Sequence, residues 1–254
     1  MQTVIAQVMC RVARKVVPVR LRHALRMLVQ ARPRHDQYVR RMLAGQDVDI
    51  RAVERLIQPS DGWVIDVGAE EGEVTRHFAE RGFRVLAFEP SRRNVIALLS
   101  SSLRYVLTGR VRAFRMACSD FDGTAVLDTS GPSWAYSLRS PQTSDEEPGG
   151  PVTVVRLGPW LVEQGIKQVA FLKVDAEGSD FDVLCGYWSH PDVPSPKVVM
   201  FEFTCGELER MLNLMRQKGY RHFHFICRWN EAAGQESQIR WLIADGIHPL
   251  VFDA

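Results

Sequence analysis

The chain has 254 residues, of which 46% are hydrophobic and 24% charged. This balance is typical of a globular protein whose core needs no metal or disulfide. The five cysteines are scattered and none forms a Cys-x-x-Cys pair, so we expect neither a disulfide framework nor a structural zinc site. No apolar run approaches the roughly 18 residues that span a bilayer, and the first ten residues lack the features of a secretory signal, so we expect a cytoplasmic location.

Charge is distributed unevenly along the chain. Residues 1–45 hold ten Lys or Arg and one acid, a net charge of +9, whereas the whole chain carries +2, so the remainder carries −7. A basic arm on an acidic body argues against a nucleic-acid enzyme, in which the basic surface should extend across the catalytic domain. We therefore divide the chain into an arm at 1–45 and a main domain at 46–254.

Leucines recur at helical spacing within the arm (Leu21, Leu25, Leu28). Prolines at positions 18 and 33 bracket them, which predicts two short amphipathic helices. Such basic helices either pack on their own domain or lie on anionic lipid at the inner membrane face, and the sequence leaves both alternatives open.

From about Trp63, short apolar runs alternate with helical stretches, as in βαβ units that build a parallel sheet. The predicted strands are Val64–Val67, Val85–Phe88, Val111–Ala117, Val169–Val174, Val198–Phe203, His222–Cys227 and one around Trp241–Ile243. The predicted helices are Glu71–Arg81, Arg92–Ser102, Trp160–Gln164, Asp180–Leu184 and Glu207–Lys218. The segment Pro141–Pro151 lacks apolar residues and is expected to be a surface loop. The fold class is therefore α/β, with a mostly parallel seven-stranded sheet and helices on both faces.

The first strand leads into a glycine turn and a helix, in the run VIDVGAEEGEVTRHF. We predict that Asp66, Gly68, Glu70 and Gly72 hold a nucleotide-type ligand there. Glutamates crowd this turn, where a dinucleotide would place a pyrophosphate, so the charge disfavours NAD. It favours S-adenosylmethionine, whose sulfonium and ammonium groups attract carboxylates.

Two further segments extend the predicted ligand site. Glu89 ends the second strand 21 residues after Gly68, where a carboxylate can accept hydrogen bonds from a ribose diol. Ser119 and Asp120 follow the third strand, at the edge expected beside the base, although Asp-x-x-Gly is also an ordinary turn signature.

The run FLKVDAEGSDFDVLCG places acids after the fourth strand. Asp175, Glu177 and Glu202 are expected to meet at one sheet edge, where one of them serves as a catalytic base. We expect no metal, since no tight Asp-x-Asp spacing supports one. We interpret Asp180 and Asp182 as capping residues of the following helix, because Ser179 followed three residues later by Asp182 resembles a capping box, and the helix should end at Gly186. His190 is an alternative base.

Taken in order, these motifs resemble the FkbM-type methyltransferase family, whose pattern reads roughly DVGAN-x-G, FEP, Ser-Asp before Gly, and K-x-D-x-EG-x-E. The resemblance covers about Trp63 to Cys227. It implies a Rossmann-like class I methyltransferase fold and S-adenosylmethionine as methyl donor. The chain departs from the pattern at three positions, where Glu70 replaces an asparagine, Asp180 a glutamate and Gly158 an aspartate.

The resemblance also implies the class of acceptor, a hydroxyl on a sugar, a glycolipid or another small secondary metabolite. A small-molecule or lipid-linked saccharide partner is therefore expected, and nucleic acid is not. Two alternatives stay open from the residues alone. One is a non-catalytic Rossmann-like binding module and the other, which the charge disfavours, is an NAD-dependent oxidoreductase.

Overall fold

The computed structural model describes residues 48–128, 137–139, 150–203, 207–230 and 235–245. The predicted arm at 1–45 and most of the predicted loop at 141–151 lie outside the described residues. The helices are α1 (Val48–Leu56), α2 (Glu73–Glu80), α3 (Arg92–Ser101), α4 (Leu103–Leu107), α5 (Leu157–Glu163), α6 (Asp180–Tyr187) and α7 (Leu208–Gln217), with one 3₁₀ turn at Pro59–Asp61.

Eleven strands are described, and they form two sheets. The larger sheet contains β1 (Trp63–Val67), β2 (Arg84–Phe88), β3 (Val111–Phe114), β8 (Val169–Val174), β9 (Val198–Phe203), β10 (His222–Asn230) and β11 (Gln235–Asp245). The smaller sheet contains β4 (Ala117–Ser119), β5 (Gly123–Asp128), β6 (Ser137–Arg139) and β7 (Pro151–Arg156).

The larger sheet has the order β10-β11-β9-β8-β1-β2-β3. Its strands from β9 to β3 are parallel, and β11 alone runs antiparallel to both of its neighbours. From β1 the chain moves outward to β2 and β3 and then returns to β8 on the other side of β1. This reversal is the topological switch point at which open α/β sheets bind ligands, beside the carboxyl ends of the strands.

Helices cover both faces of the sheet, as predicted. One buried cluster packs α1 to α4 against alternate strand residues such as Val64 and Phe171. The other packs α5 to α7 against the opposite set, which includes Ile65 and Leu172. Both faces of β1 and β8 are therefore apolar and buried, which is why these parallel strands appear in the sequence as continuous apolar runs.

The smaller sheet was not predicted. The expected strand Val111–Ala117 is wrong as a single element, because β3 ends at Phe114 and Ala117 begins β4 in the second sheet. Pro151, which the sequence predicts to end a surface loop, instead begins β7, which pairs with β4 and β5. Alanine, leucine and valine side chains from these strands form a small core of their own.

Two helix predictions near the site also need correction. The predicted capping box of α6 is wrong, since the Ser179 side chain makes no cap hydrogen bond. The helix continues past Gly186 to Tyr187. Gly186 is instead a contact point, because a Cβ atom there would lie 1.9 Å from the carbonyl oxygen of Ser119.

Within the described residues, no helix combines the length and apolar character required to cross a bilayer.

Candidate active site

A cleft lies at the carboxyl ends of β1, β2 and β8, with the second sheet on its far side. It contains about 730 Å³ of space unoccupied by protein, part of it open to solvent. Four of its lining residues are acids, namely Glu70, Glu89, Asp175 and Glu177. Phe88, Met116 and Leu127 form apolar parts of the wall. No basic side chain lines the cleft within the described chain.

The glycine turn after β1 is held tightly in place. The backbone N–H groups of Gly68 and Ala69 both donate to the carbonyl of Phe88, at 3.0 and 3.1 Å. Gly68 has φ +68°, and a Cβ atom there would lie 1.8 Å from the carbonyl oxygen of Asp175. Only glycine therefore fits between the two strands at this point.

Glu70 continues the turn in the left-handed region, with φ +48°. Asparagine tolerates this conformation better than glutamate does, which gives a physical reason for the asparagine usual in the FkbM pattern. Gly72, with φ +86°, is the N-cap residue of α2. It packs against Leu98 rather than lining the cleft.

Glu89 is buried at the cleft wall, only 5% exposed. Its carboxylate accepts hydrogen bonds from the backbone N–H of Glu70 at 2.9 Å and of Ser91 at 2.8 Å, and from the Asn94 side chain at 3.4 Å. Burial raises the pKa of Glu89 to about 7, although these hydrogen bonds favour the ionised form. The carboxylate is thus fixed in orientation and faces the cleft.

Asp66 lies beneath the cleft rather than in its lining, with no exposed surface. One carboxylate oxygen accepts a hydrogen bond from Thr75 Oγ1 at 2.6 Å. The other makes no hydrogen bond of good geometry but lies 3.3 Å from the ammonium of Lys173.

Asp175, Glu177 and Glu202 come together as the sequence predicted. Each offers a carboxylate oxygen, and the three oxygens lie within 4.8 Å of one another. We call this group the carboxylate cluster. It supplies three oxygen ligands of the kind a divalent cation binds, and the expectation that no metal binds there stays a prediction.

Within the cluster, Glu177 has the unusual environment. It adopts φ +48°, the only described non-glycine residue besides Glu70 with positive φ. Burial raises the pKa of Glu177 to about 7, and the negative charges of Asp175, Glu202 and Glu70 add to the effect. Strained backbone of this kind concentrates at functional sites.

Asp180 holds the cluster together instead of capping its helix. The side chain is 3% exposed and accepts hydrogen bonds from the backbone N–H of Ala176 at 3.1 Å and of Glu202 at 3.0 Å. It therefore joins the turn after β8 to β9. Burial raises the pKa of Asp180 to about 8.

Other predicted residues lie further from the cleft. Ser119 is buried and Asp120 exposed at the end of β4, and neither lines the cleft. Ala117 and Cys118 of β4 form the wall there, together with the preceding residue Met116. Asp182 lies close enough to Asp120 for the negative charge to raise its pKa, after the larger effect of burial.

His190 lies in the loop after α6. Its Nδ1 accepts the backbone N–H of Asp192 at 3.1 Å, so this nitrogen already has a partner.

The sequence prediction missed Lys173, Met116 and Leu127. A signal for the lysine was present, because a single charge inside the apolar run FLKV requires a buried partner. Met116 and Leu127 could not have been found, since Met116 directly precedes β4 and Leu127 lies in β5, two strands of the unpredicted second sheet.

Two characterised proteins that resemble this chain are methyltransferases by name. The 2-O-methyltransferase NoeI of Sinorhizobium fredii is 26% identical over 152 residues, a match covering 54% of this chain and 61% of NoeI. The 31-O-demethyl-FK506 methyltransferase FkbM of Streptomyces tacrolimicus is 28% identical over 199 residues, covering 65% of this chain and 74% of that protein. This chain therefore matches less than two thirds of NoeI.

Among solved structures, methyltransferase FkbM from Methylobacillus flagellatus aligns with a TM-score of 0.48 and 16% identity, covering 72% of this chain and 43% of that chain. The family profile described as the methyltransferase FkbM domain matches residues 66–222, more than half of the chain. That span runs from Asp66 at β1 to the start of β10, and contains the glycine turn, Glu89 and the carboxylate cluster. The chain therefore belongs to the FkbM methyltransferase domain family, whose methyl donor is S-adenosylmethionine.

Proposed function

We propose that the protein transfers the methyl group of S-adenosylmethionine to a hydroxyl oxygen of a small-molecule acceptor, such as a sugar, a glycolipid or another secondary metabolite. Its two named relatives support oxygen as the target, since both are O-methyltransferases by name. The observation that carries the proposal is the cleft at the switch point, where the buried carboxylate of Glu89 lines the same space as Asp175 and Glu177 of the carboxylate cluster.

The residues of the cleft fit this donor. Gly68 lets the turn after β1 pass close to the carbonyl of Asp175, where any side chain would clash, and Glu89 presents a fixed acceptor for hydroxyl groups. Phe88 and Met116 offer apolar surface for a flat base. The surrounding acids suit a ligand with positive charge, whereas an NAD pyrophosphate would meet them with repulsion. The fit thus weakens the oxidoreductase alternative.

When bound, S-adenosylmethionine supplies a methyl group activated by attachment to a positively charged sulfur. The protein has to orient the acceptor, exclude water and receive the hydroxyl proton. Proximity and orientation can account for several kcal/mol of the barrier.

We assign the proton to Glu177. A general base works best when its pKa is near the working pH, and burial with neighbouring negative charges gives Glu177 a pKa of about 7. Asp175 and Glu202 then raise the proton affinity of Glu177, and Asp180 fixes the turn relative to β9.

The acceptor can be identified by label transfer. The full chain is incubated with S-adenosylmethionine carrying a tritiated methyl group and a fractionated cell extract, and the labelled product is analysed. We expect label in a small hydroxylated compound. Glu89→Ala should abolish both donor binding and labelling, whereas Glu177→Gln should still bind the donor, at most about tenfold more weakly, and lose labelling. Donor binding without label in any fraction would instead support the non-catalytic alternative.

The arm is part of the same proposal. A lipid-linked acceptor would lie at a membrane surface, where a segment of charge +9 is attracted to anionic lipid. Deletion of residues 1–45 should then reduce sedimentation with anionic liposomes and leave donor affinity unchanged. Equal sedimentation of both forms would reject the membrane contact and favour a soluble acceptor.

A further inference from the structure

Lys173 is a buried cation whose function none of the preceding assignments explains. It occupies the central strand β8, and its side chain is 6% exposed. An unpaired ammonium in such a position is strongly unfavourable, so its surroundings must stabilise the charge. Nearby carboxylates raise the pKa of Lys173 above its ordinary value against the opposing effect of burial, so it stays protonated.

Three oxygen atoms surround the ammonium. Nζ donates a hydrogen bond to the carbonyl of Gly68 at 3.1 Å, and lies 3.1 Å from Asp175 Oδ2 and 3.3 Å from Asp66 Oδ1. The contact with Gly68 is a hydrogen bond and the other two are ion pairs, so both Asp66 and Asp175 offset the positive charge of Lys173. Asp66 is held in turn by Thr75 of α2.

These three oxygens belong to different parts of the site. Gly68 begins the glycine turn after β1, and Asp175 begins the turn after β8 that also carries Glu177. The strands are adjacent and parallel, with Asp66 paired to Lys173 in register. The ammonium therefore lies under the junction between the donor side and the acceptor side of the cleft.

We propose that Lys173 is a positioning residue that fixes the glycine turn after β1 relative to Asp175. This inference rests on the proposed function, because it assigns those two turns to donor binding and catalysis. A compact ammonium is suited to the task, since a single nitrogen contacts all three oxygens. A guanidinium spreads its donors over a rigid planar fork and is not equivalent to it.

Donor affinity tests the proposal without any acceptor. Isothermal titration of the full chain with S-adenosylmethionine should show a dissociation constant about tenfold or more higher for Lys173→Ala than for the wild type. Adding n-propylammonium, which replaces the deleted atoms including the charge, should restore affinity. Propan-1-ol, of similar size but neutral, should not. A role in filling space would be rescued equally by both, and that result would overturn the proposal.

Lys173→Arg provides a second measurement that does not depend on the alanine variant folding. It keeps the buried positive charge, so we expect a folded protein by circular dichroism with donor affinity reduced about tenfold. Wild-type affinity in this variant would mean that Lys173 only neutralises charge, and would overturn the proposal.

Lys197→Ala is the matched control. Lys197 forms an ion pair with Asp61, and its backbone N–H donates a hydrogen bond to the carbonyl of Val169. Val169 lies at the opposite end of β8 from the cleft. It should bind the donor as the wild type does. If the wild-type protein itself binds no S-adenosylmethionine, the proposed function fails. If the wild type binds and both Lys173 variants bind equally well, only the positioning role fails.

Discussion

Replacing Glu89 by glutamine should have opposite effects on folding and on donor binding. The substitution keeps the shape of the side chain and removes its ionisation. Burial raises the pKa of Glu89 from its ordinary value of 4.5 to about 7, so between those values the folded protein retains a proton that the unfolded chain has released. Since the folded state then binds more protons than the unfolded state, the free energy of unfolding falls as the pH rises.

The size of the folding effect follows from that difference. One pKa unit corresponds to about 1.4 kcal/mol, so the wild type should lose as much as about 3 kcal/mol of stability through this group between pH 4.5 and 8. Glu89→Gln should not lose stability in this way, because glutamine does not ionise. Any fixed cost of placing an amide against the backbone N–H groups of Glu70 and Ser91 is the same at both pH values, and it cancels when the two are compared.

Donor binding should change in the opposite direction. A hydrogen bond to a charged acceptor contributes about 1.5–3 kcal/mol, so Glu89→Gln should weaken S-adenosylmethionine binding at pH 8 by roughly 10- to 150-fold.

Urea unfolding at pH 5 and pH 8 measures the first effect, and calorimetric titration measures the second. Glu163→Gln, an exposed residue of α5, is the control for both. A stability difference that does not change with pH, or undiminished donor affinity, would refute the reasoning.

Other predictions concern charge, packing and metal. The wild type should bind S-adenosylmethionine more tightly than the product S-adenosylhomocysteine, which lacks the positive charge on sulfur. The ratio of the two dissociation constants should increase between pH 6 and 8 as Glu177 ionises, given its pKa of about 7. Glu177→Gln should reduce this ratio roughly tenfold. Gly158→Asp, which introduces the residue usual in the FkbM pattern, should destabilise the fold by about 2–3 kcal/mol or more in thermal unfolding, since a Cβ atom there would lie 1.9 Å from the carbonyl oxygen of Tyr187. The control is Gly165→Ala, whose Cβ atom would meet no atom within 4 Å. Its only cost is the backbone strain of an alanine at φ +69°, which should reduce stability by about 1–2 kcal/mol. Donor affinity should be the same with and without EDTA, and a loss on chelation would show that the carboxylate cluster holds a metal.

Much of the main sheet could be predicted because its strands are buried on both faces. The apolar run Val169–Val174 has the same bounds in the sequence prediction and in the structure. The second sheet could not be predicted in this way, since its strand β7 alternates exposed and buried residues and begins at a proline. A proline at a strand's first position is tolerated, yet beside glycines it suggests a turn.

The site was predictable to the extent that it depends on strand ends. Glu89, Asp175 and Glu177 follow strands and Glu202 lies near the end of β9. The carboxyl ends of these strands share one edge, so the convergence of the four acids follows from topology. The backbone conformation of the turns does not follow from topology. Nothing in a glutamate predicts the positive φ of Glu177, which tertiary contacts impose.

The function of Asp180 shows the same limit. An acid after a serine at a helix start is typical of a cap. Only the folded chain brings the backbone N–H of Glu202, 22 residues away, to that carboxylate.

The most direct test of the account is a crystal structure of the full chain grown with saturating S-adenosylhomocysteine. We predict the ribose hydroxyls at Glu89 and the sulfur on the side of the cleft that holds the carboxylate cluster. An empty cleft at saturating ligand, or an adenosine bound away from Glu89, would contradict the central claim that these acids at the strand ends form the methyl-donor site.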